Sequence, residues 1–236
     1  MIKIITFFAI ISSSVYANQY YAKLNPINTY DIQSSVSGQV VFVNNEIKSQ
    51  NAQSSKIVEI NSIVDEEDLK QSLVKLKNLQ EVLKIEEGTL KSFNRVSSKS
   101  RFDKDNQKIK IFDIGSSISD LKTKIATLKD TIKNKNLLEE KNYIYNIAVE
   151  VGDYVTPGKM LYSSMDLSAG KLEIFIPIDQ ANDIKEKTIF LDGKETNLKI
   201  SKLYKIADST HISSYKCEII VPSPSTFSNL VKIEFK

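Results

Sequence analysis

Two long stretches without proline, in the middle of the chain, constrain its fold more than any other feature of the sequence. The first covers residues 65–94 and opens with four acidic residues. Acidic residues favour the start of a helix because their negative charge is attracted to the positive end of the helix dipole. Gln80 and Glu87 interrupt its apolar stripe, whose members are Leu69, Leu73, Leu76, Leu83 and Leu90. Their mainly helical spacing predicts a long amphipathic helix.

The second stretch carries a more regular apolar repeat. Its members are Ile111, Ile114, Ile118, Leu121, Ile125, Leu128 and Ile132, and the steps between them alternate between three and four residues. This is the heptad spacing of a coiled coil. Residues 94–108, between the two stretches, are polar, so we predict an antiparallel helical hairpin over residues 62–141 with its tip near residues 95–101. At a rise of about 1.5 Å per residue each arm is about 50 Å long, which suits a stiff spacer.

Short strands are predicted on both sides of this hairpin. Residues 18–61 include Val36, Val40 and Phe42 between turn-forming residues, and strand character returns in residues 142–166. Because strand-like segments flank the hairpin, we interpret it as an insertion into a single small β domain.

The last part of the chain, residues 167–236, alternates between apolar and polar residues with a period of two. Pro177 is expected to end one strand, residues 179–186 to form a short helix capped by Asp179, and Asp192-Gly193 to form a hairpin turn. Three apolar strand faces are predicted: Leu172, Ile174 and Ile176; Tyr215, Cys217, Ile219 and Val221; and Val231, Ile233 and Phe235. Short strands joined by turns predict a small β-barrel here.

The first 17 residues have the pattern of a secretory signal peptide. Lys3 precedes an apolar run over residues 4–11, and small residues lead to Ala17, after which we predict cleavage. The apolar run is shorter than the roughly 20 residues of a membrane-spanning helix. Retention of the segment as a short anchor is the alternative interpretation.

Composition argues against several classes of function. The net charge of +3 is mild and its signs are interleaved, unlike the concentrated basic face of a nucleic-acid-binding protein. With a single cysteine, Cys217, the chain forms no internal disulfide, and Cys217 with the only histidine, His211, makes a poor metal site. Neither a serine–histidine–aspartate ordering nor a phosphate-binding glycine loop is visible, so we predict neither catalysis nor a cofactor.

One short motif carries the strongest resemblance to known proteins. Gly152-Asp153-x-Val155-x-x-Gly158-x-x-Leu161 is similar to the G-D-x-V-x-x-G-x-x-L pattern of biotinyl and lipoyl domains. The glycines allow tight turns, while the valine and the leucine are expected to enter a small sandwich core. Gly38 and Val40, on the other side of the hairpin, resemble part of the other half of such a domain, although residues 46–55 lack the full motif.

A lipoyl-like β-sandwich split by a long helical hairpin and followed by a β-barrel resembles the periplasmic adaptor, or membrane fusion protein, family. The resemblance implies an α+β multidomain protein without enzymatic activity, which links an inner-membrane transporter of the resistance-nodulation-division or ATP-binding-cassette type to an outer-membrane channel. It also implies a homo-oligomeric ring and a partner-binding hairpin tip. The candidate tip residues are Arg95, Ser97, Ser98, Ser100 and Arg101, although Lys99 stands where the family often has leucine.

Two other interpretations remain open at this point. The chain could be a stand-alone envelope scaffold or coiled-coil interaction protein built from the same parts. It could also be a lipoyl or biotinyl carrier, because Lys159-Met160 resembles the modified lysine and its neighbour. That pair lies inside the G-x-x-L turn, however, whereas a carrier lysine lies at the tip of a hairpin between the two halves.

Overall fold

The computed structural model describes residues 19–236. The predicted signal peptide, residues 1–17, lies outside the described residues. The helices are α1 (Ile63–Arg95) and α2 (Arg101–Lys135). The strands are β1 (Gln19–Lys23), β2 (Asn25–Gln33), β3 (Gly38–Val43), β4 (Ser55–Ile60), β5 (Asn136–Glu139), β6 (Tyr143–Ile147), β7 (Tyr154–Val155), β8 (Met160–Pro177), β9 (Ile189–Leu191), β10 (Lys194–Glu195), β11 (Ile200–Leu203), β12 (Ser214–Pro222) and β13 (Leu230–Phe235).

The chain divides into two compact units. One consists of residues 30–164, which include both helices, and the other of residues 19–29 together with residues 165–236. The boundaries fall within β2 and β8, so these two strands supply residues to both units.

The unit of residues 30–164 has a small β core from which the hairpin departs and to which it returns. Its four-stranded sheet has the order β5-β4-β3-β7, and β4 and β5, which flank the hairpin in sequence, pair antiparallel. The core side chains include Val40, Ile57, Val58, Ile60, Ile144, Val155 and Leu161, each at most 1% exposed. The two ends of the hairpin are therefore fixed side by side in one sheet.

In the other unit two antiparallel sheets enclose a second core. Their strand orders are β1-β13-β9-β10 and β11-β12-β8-β2. Most of the three expected apolar faces supply this core, with Leu172, Ile174, Ile176, Cys217, Ile219, Val231, Ile233 and Phe235 buried and Val221 packed against them. Tyr215 is the exception, because it is half-buried and lines a surface cleft instead. Strand β1, from the start of the described chain, pairs with the last strand over Gln19↔Glu234 to Lys23↔Leu230.

Two local predictions in this unit have different outcomes. Asp192 and Gly193 have φ values of 50° and 79°, and they join β9 to β10 as the hairpin turn expected of this dipeptide. The short helix expected over residues 179–186 is instead two 3-10 turns, Ile178–Gln180 and Asp183–Glu186. The Asp179 cap is wrong, because Asp179 lies inside the first turn, whose cap position is Pro177.

The two helices pack through the predicted apolar repeat of α2, but the face of α1 that packs differs from the predicted one. Ile118, Leu121 and Ile125 are the most buried residues of the α2 repeat. On α1, Leu73 is 43% exposed, whereas the neighbouring Ser72 is buried. The seam of α1 runs through Leu69, Ser72, Leu76, Leu79, Leu83, Glu86, Leu90 and Phe93, all buried or half-buried. The leucines alone predicted the wrong seam because a small residue, Ser72, and a charged residue, Glu86, occupy positions of the heptad repeat.

Candidate partner-binding surfaces

The hairpin tip is closed by contacts within its own residues. Ser100 caps α2: its hydroxyl accepts the Asp103 N–H at 3.1 Å, and its own N–H donates to the Asp103 carboxylate at 3.3 Å. This reciprocal pair is a capping box, which satisfies two otherwise unpaired donors of the helix start. Lys99, where the family often has leucine, places its ammonium 4.5 Å from the centre of the Phe93 ring. These contacts hold the turn that joins the two helices.

The remaining candidate tip residues face solvent. Arg95 ends α1, and Ser97 and Ser98 lie in the connection between the helices; all three are exposed. The Arg101 side chain is 96% exposed, with its Nε 3.7 Å from the Asp105 carboxylate. An ion pair so exposed contributes little to stability. The structure therefore brings the five candidates together in one loop, where Ser100 has a capping role and the other four are available for contact.

A polar cluster within the seam holds the two helices together 9 residues from the end of α1. The buried Gln107 side chain donates to the Glu86 backbone oxygen at 3.0 Å and to the Glu86 carboxylate at 2.8 Å. The Lys110 ammonium also pairs with this carboxylate. Hydrogen bonds from Lys110 and then Gln107 lower the pKa of Glu86. Sequence reasoning missed this cluster, although two polar residues at heptad positions were a usable signal.

The base of the hairpin has a second polar contact between its ends. The Lys135 ammonium donates to the Asn61 backbone oxygen at 2.8 Å and to the Asp65 carboxylate at 2.5 Å. Because this lysine ends α2 while its partners begin α1, the contact fixes the two helices where they leave the sheet. The hairpin is therefore held at its base and again near its tip.

The glycine motif forms the turns of the β lobe. Gly152 and Gly158 have φ values of 102° and 88°, a region that glycine adopts readily. The Asp153 carboxylate accepts the Glu150 N–H at 3.0 Å and so closes the first turn. Val155 and Leu161 are fully buried in the lobe.

The two half-motifs lie next to each other in the lobe. Gly38 pairs with Val155 between β3 and β7. A Cβ atom added at Gly38 would lie 2.5 Å from the Ile60 side chain, so this position admits only glycine without a shift. Lys159 donates its N–H to Thr156 and accepts from Ser34, and its position within this turn differs from that of a carrier lysine.

The β-barrel unit carries a cleft of about 290 Å³ beside Lys185. Ile178, Leu203, Tyr204 and Tyr215 are among the residues that line it. Ile206 and Ile212, in the loop after β11, are 84% and 78% exposed. Ile206 directly follows the cleft-lining residues Tyr204 and Lys205, so it adds an exposed aliphatic side chain beside the cleft, as is common at sites that bind a protein partner.

His211 orders the same loop. Its ring stacks on Phe175 with centroids 3.4 Å apart, and its Nδ1 lies 3.1 Å from the Asp208 carboxylate. Hydrogen bonds, first from the His211 backbone N–H and also from its ring and from Thr210, lower the pKa of Asp208. His211 therefore has a structural partner on each side.

Two classes of feature are missing from residues 19–236. No group of three or more histidine, cysteine, aspartate or glutamate side chains is placed to hold a metal ion. Neither α1 nor α2 is long and apolar enough to cross a membrane.

Comparison with solved structures gives clear matches for this fold. MacA from Actinobacillus actinomycetemcomitans is 16% identical with a TM-score of 0.72, over 93% of this chain and 78% of its own. The membrane fusion protein Spr0693 from Streptococcus pneumoniae R6 is 9% identical with a TM-score of 0.70, over 93% and 98%. A MacA–MexA chimera containing the Pseudomonas aeruginosa MexA α-hairpin domain is 16% identical with a TM-score of 0.71, over 93% and 82%.

These matches confirm the predicted fold class. The chain has the architecture of the membrane fusion proteins that it resembles: β-rich units with a long antiparallel helical hairpin. At these identities the likeness is one of fold. No protein-family model matches the sequence, and comparison with curated proteins gives no match.

Proposed function

We propose that this chain is a non-enzymatic periplasmic adaptor, which links an inner-membrane transporter to an outer-membrane channel for efflux or secretion. The transporter would be of the resistance-nodulation-division or ATP-binding-cassette type. The single observation that carries the proposal is the pairing of β4 with β5, because it makes the hairpin an arm projecting from one β lobe. The shared fold with MacA and with the membrane fusion protein Spr0693 supports it.

In this proposal each part of the chain has its own role. Residues 1–17 direct export to the periplasm, and the protein associates with the membrane through its partners. Residues 30–61 and 136–164 form the lipoyl-like lobe, residues 63–135 the arm, and residues 165–236 form the barrel together with residues 19–29. The tip residues Arg95, Ser97, Ser98 and Arg101 contact the channel, while the lobe and the barrel contact the transporter. Several copies form a ring, which multiplies individually modest contacts.

The β4–β5 pairing permits a direct test of this division. Because the two strands are antiparallel neighbours, residues 63–135 can be replaced by a short Asn-Gly turn that leaves both in place. A tagged copy of this shortened chain, compared with the tagged full chain, would be purified from solubilised envelopes and its partners identified by mass spectrometry. We expect the full chain to retain transporter and channel, and the shortened chain to retain the transporter alone.

The control is a full chain carrying Ile63→Glu, which alters an exposed residue at the base of α1 and keeps the arm. If the full chain captures neither a transporter nor a channel, the adaptor proposal is wrong and the scaffold interpretation takes its place. If the shortened chain still captures the channel, the assignment of the tip is wrong.

A further inference from the structure

A cleft of about 340 Å³ lies at the base of the hairpin, within the unit of residues 30–164. It is bordered by the end of β2, the last turn of α2, strand β5 and the start of β8. Pockets for small molecules typically have volumes of about 300–1,000 Å³, apolar walls and a few polar groups that orient the ligand. We call this pocket the hairpin-base cleft. Its apolar residues are Ile32, Leu137 and Leu138, and its polar residues include Gln33, Lys133 and Tyr162.

Tyr162 distinguishes this cleft from an ordinary surface depression. The residue is only 3% exposed and belongs to the core of the β lobe, yet its hydroxyl forms no hydrogen bond within residues 19–236. Every side-chain nitrogen or oxygen that is closed to solvent in those residues has a hydrogen-bond partner, so the unpartnered Tyr162 oxygen must reach the surface of the cleft. Buried polar groups of folded proteins are normally hydrogen-bonded. This hydroxyl is therefore placed to bond an atom from outside the chain.

The surroundings of Tyr162 make its hydroxyl a hydrogen-bond donor. Burial, and then the negative charge of Glu139, raise the pKa of Tyr162 to about 12, so the hydroxyl keeps its proton at neutral pH. Glu139 does not accept from it, and the Glu139 carboxylate accepts the Ser164 hydroxyl instead at 3.1 Å. What this position lacks is an acceptor oxygen.

We propose that the hairpin-base cleft binds a small molecule that carries a carbonyl or carboxylate oxygen on an apolar body. The oxygen accepts the hydrogen bond of the Tyr162 hydroxyl, and the apolar body packs on Ile32, Leu137 and Leu138. Leu138 is 63% exposed, so the ligand would remove apolar surface from water. The inference goes beyond the adaptor proposal and does not rest on it, because all of these groups belong to one unit of the chain.

Lys133 favours the carboxylate among the two kinds of acceptor. Its side chain is exposed beside the cleft, and its ammonium has no ion pair within residues 19–236. A carboxylate in the cleft would gain this charge as a partner, whereas a neutral carbonyl would gain only a hydrogen bond.

Calorimetric titration of the purified protein with three naphthalene derivatives tests the site. Naphthoate carries a carboxylate, naphthamide carries a neutral carbonyl, and naphthylmethylammonium has the same rings without an acceptor oxygen. We expect naphthoate and naphthamide to bind at a single site, naphthoate more tightly, and the ammonium compound not to bind. Lys133→Gln should reduce the preference for naphthoate over naphthamide.

Tyr162→Phe removes the hydroxyl and keeps the ring in the core. This variant should bind naphthoate about tenfold more weakly, because a hydrogen bond to a charged oxygen is lost. Without any probe it should be at least as stable to urea as the wild type, since the hydroxyl has no partner in the chain to lose. The matched control is Tyr154→Phe, which alters a tyrosine of the same lobe that is 70% exposed and lies outside the cleft, and it should leave binding unchanged.

The three probes also distinguish the two kinds of ligand. If naphthoate binds more tightly than naphthamide, the natural ligand is a carboxylate, and if naphthamide binds as well or better, it is a neutral carbonyl compound. Failure of both to bind, equal binding of naphthylmethylammonium, or binding that is insensitive to Tyr162→Phe would overturn the site. A Tyr162→Phe protein that is less stable without any probe would show that the hydroxyl serves the fold instead.

Discussion

Gly38 is the residue at which the β lobe tolerates a side chain least. A Cβ atom there would lie 2.5 Å from Cγ2 of Ile60, which is fully buried between β3 and its neighbours. Gly38→Ala is therefore expected to lower the free energy of unfolding by about 1–3 kcal/mol, the usual cost of overpacking a well-packed core. Urea unfolding of the purified protein measures the change.

Gly158→Ala is the matched control for this substitution. No atom lies within 4 Å of a Cβ at Gly158, so its cost comes from a φ of +88° alone and should be about 1 kcal/mol. A Gly38→Ala protein as stable as the wild type would mean that Ile60 shifts freely, and that β3 and β4 pack less closely than the structure shows.

At the level of the elements, the polar cluster in the hairpin seam is expected to set the register of α1 against α2. Polar residues at seam positions specify register at a cost in stability. Glu86→Leu removes the carboxylate that accepts from the buried Gln107 amide and leaves only the backbone oxygen of residue 86 as its acceptor, so the hairpin should be less stable than the wild type. The double variant Glu86→Leu/Gln107→Leu makes both positions apolar and should be at least as stable as the wild type. Thermal unfolding followed by circular dichroism distinguishes the three proteins. A double variant that is no better than Glu86→Leu would contradict this account.

The same cluster predicts a pH dependence of the hairpin. Hydrogen bonds from Lys110 and Gln107 lower the pKa of Glu86, so its carboxylate stabilises the folded state above the unfolded pKa of about 4.3. As the pH falls through the lower folded pKa, that contribution is lost. Between about pH 5 and pH 3, the wild type should therefore lose more thermal stability than Glu86→Gln. Equal losses of thermal stability in the two proteins would show that the folded state does not favour the charged form of Glu86.

The elements differ in how much of them the sequence could predict. The α2 seam was predictable because isoleucine and leucine fill most of its heptad positions. The α1 seam was not predictable, since Ser72 and Glu86 occupy seam positions while Leu73 lies outside the seam. Placing the seam at the leucines alone therefore gave the wrong positions.

For the whole molecule, the order of lobe, hairpin, lobe and barrel over residues 30–236 was predictable because each part has a local signature. The glycine motif marks the lobe, the heptads mark the hairpin and the period of two marks the strands. The pairing of β1 with β13 was not predictable, because it joins the first described residues to the last ones. Such a pairing depends on complementarity between two short strands that are far apart in the sequence. The apolar pattern of one strand alone does not indicate which strand it pairs with.

The central claim is that one chain contacts a channel with its arm and a transporter with its barrel. Site-specific photocrosslinking in intact cells tests it most directly, with one probe at Ser98 in the exposed tip and another at Lys185 beside the barrel cleft. We predict an outer-membrane channel protein at Ser98 and an inner-membrane transporter at Lys185, each identified by mass spectrometry. Only copies of this chain, or unrelated envelope proteins, at both positions would contradict the adaptor account.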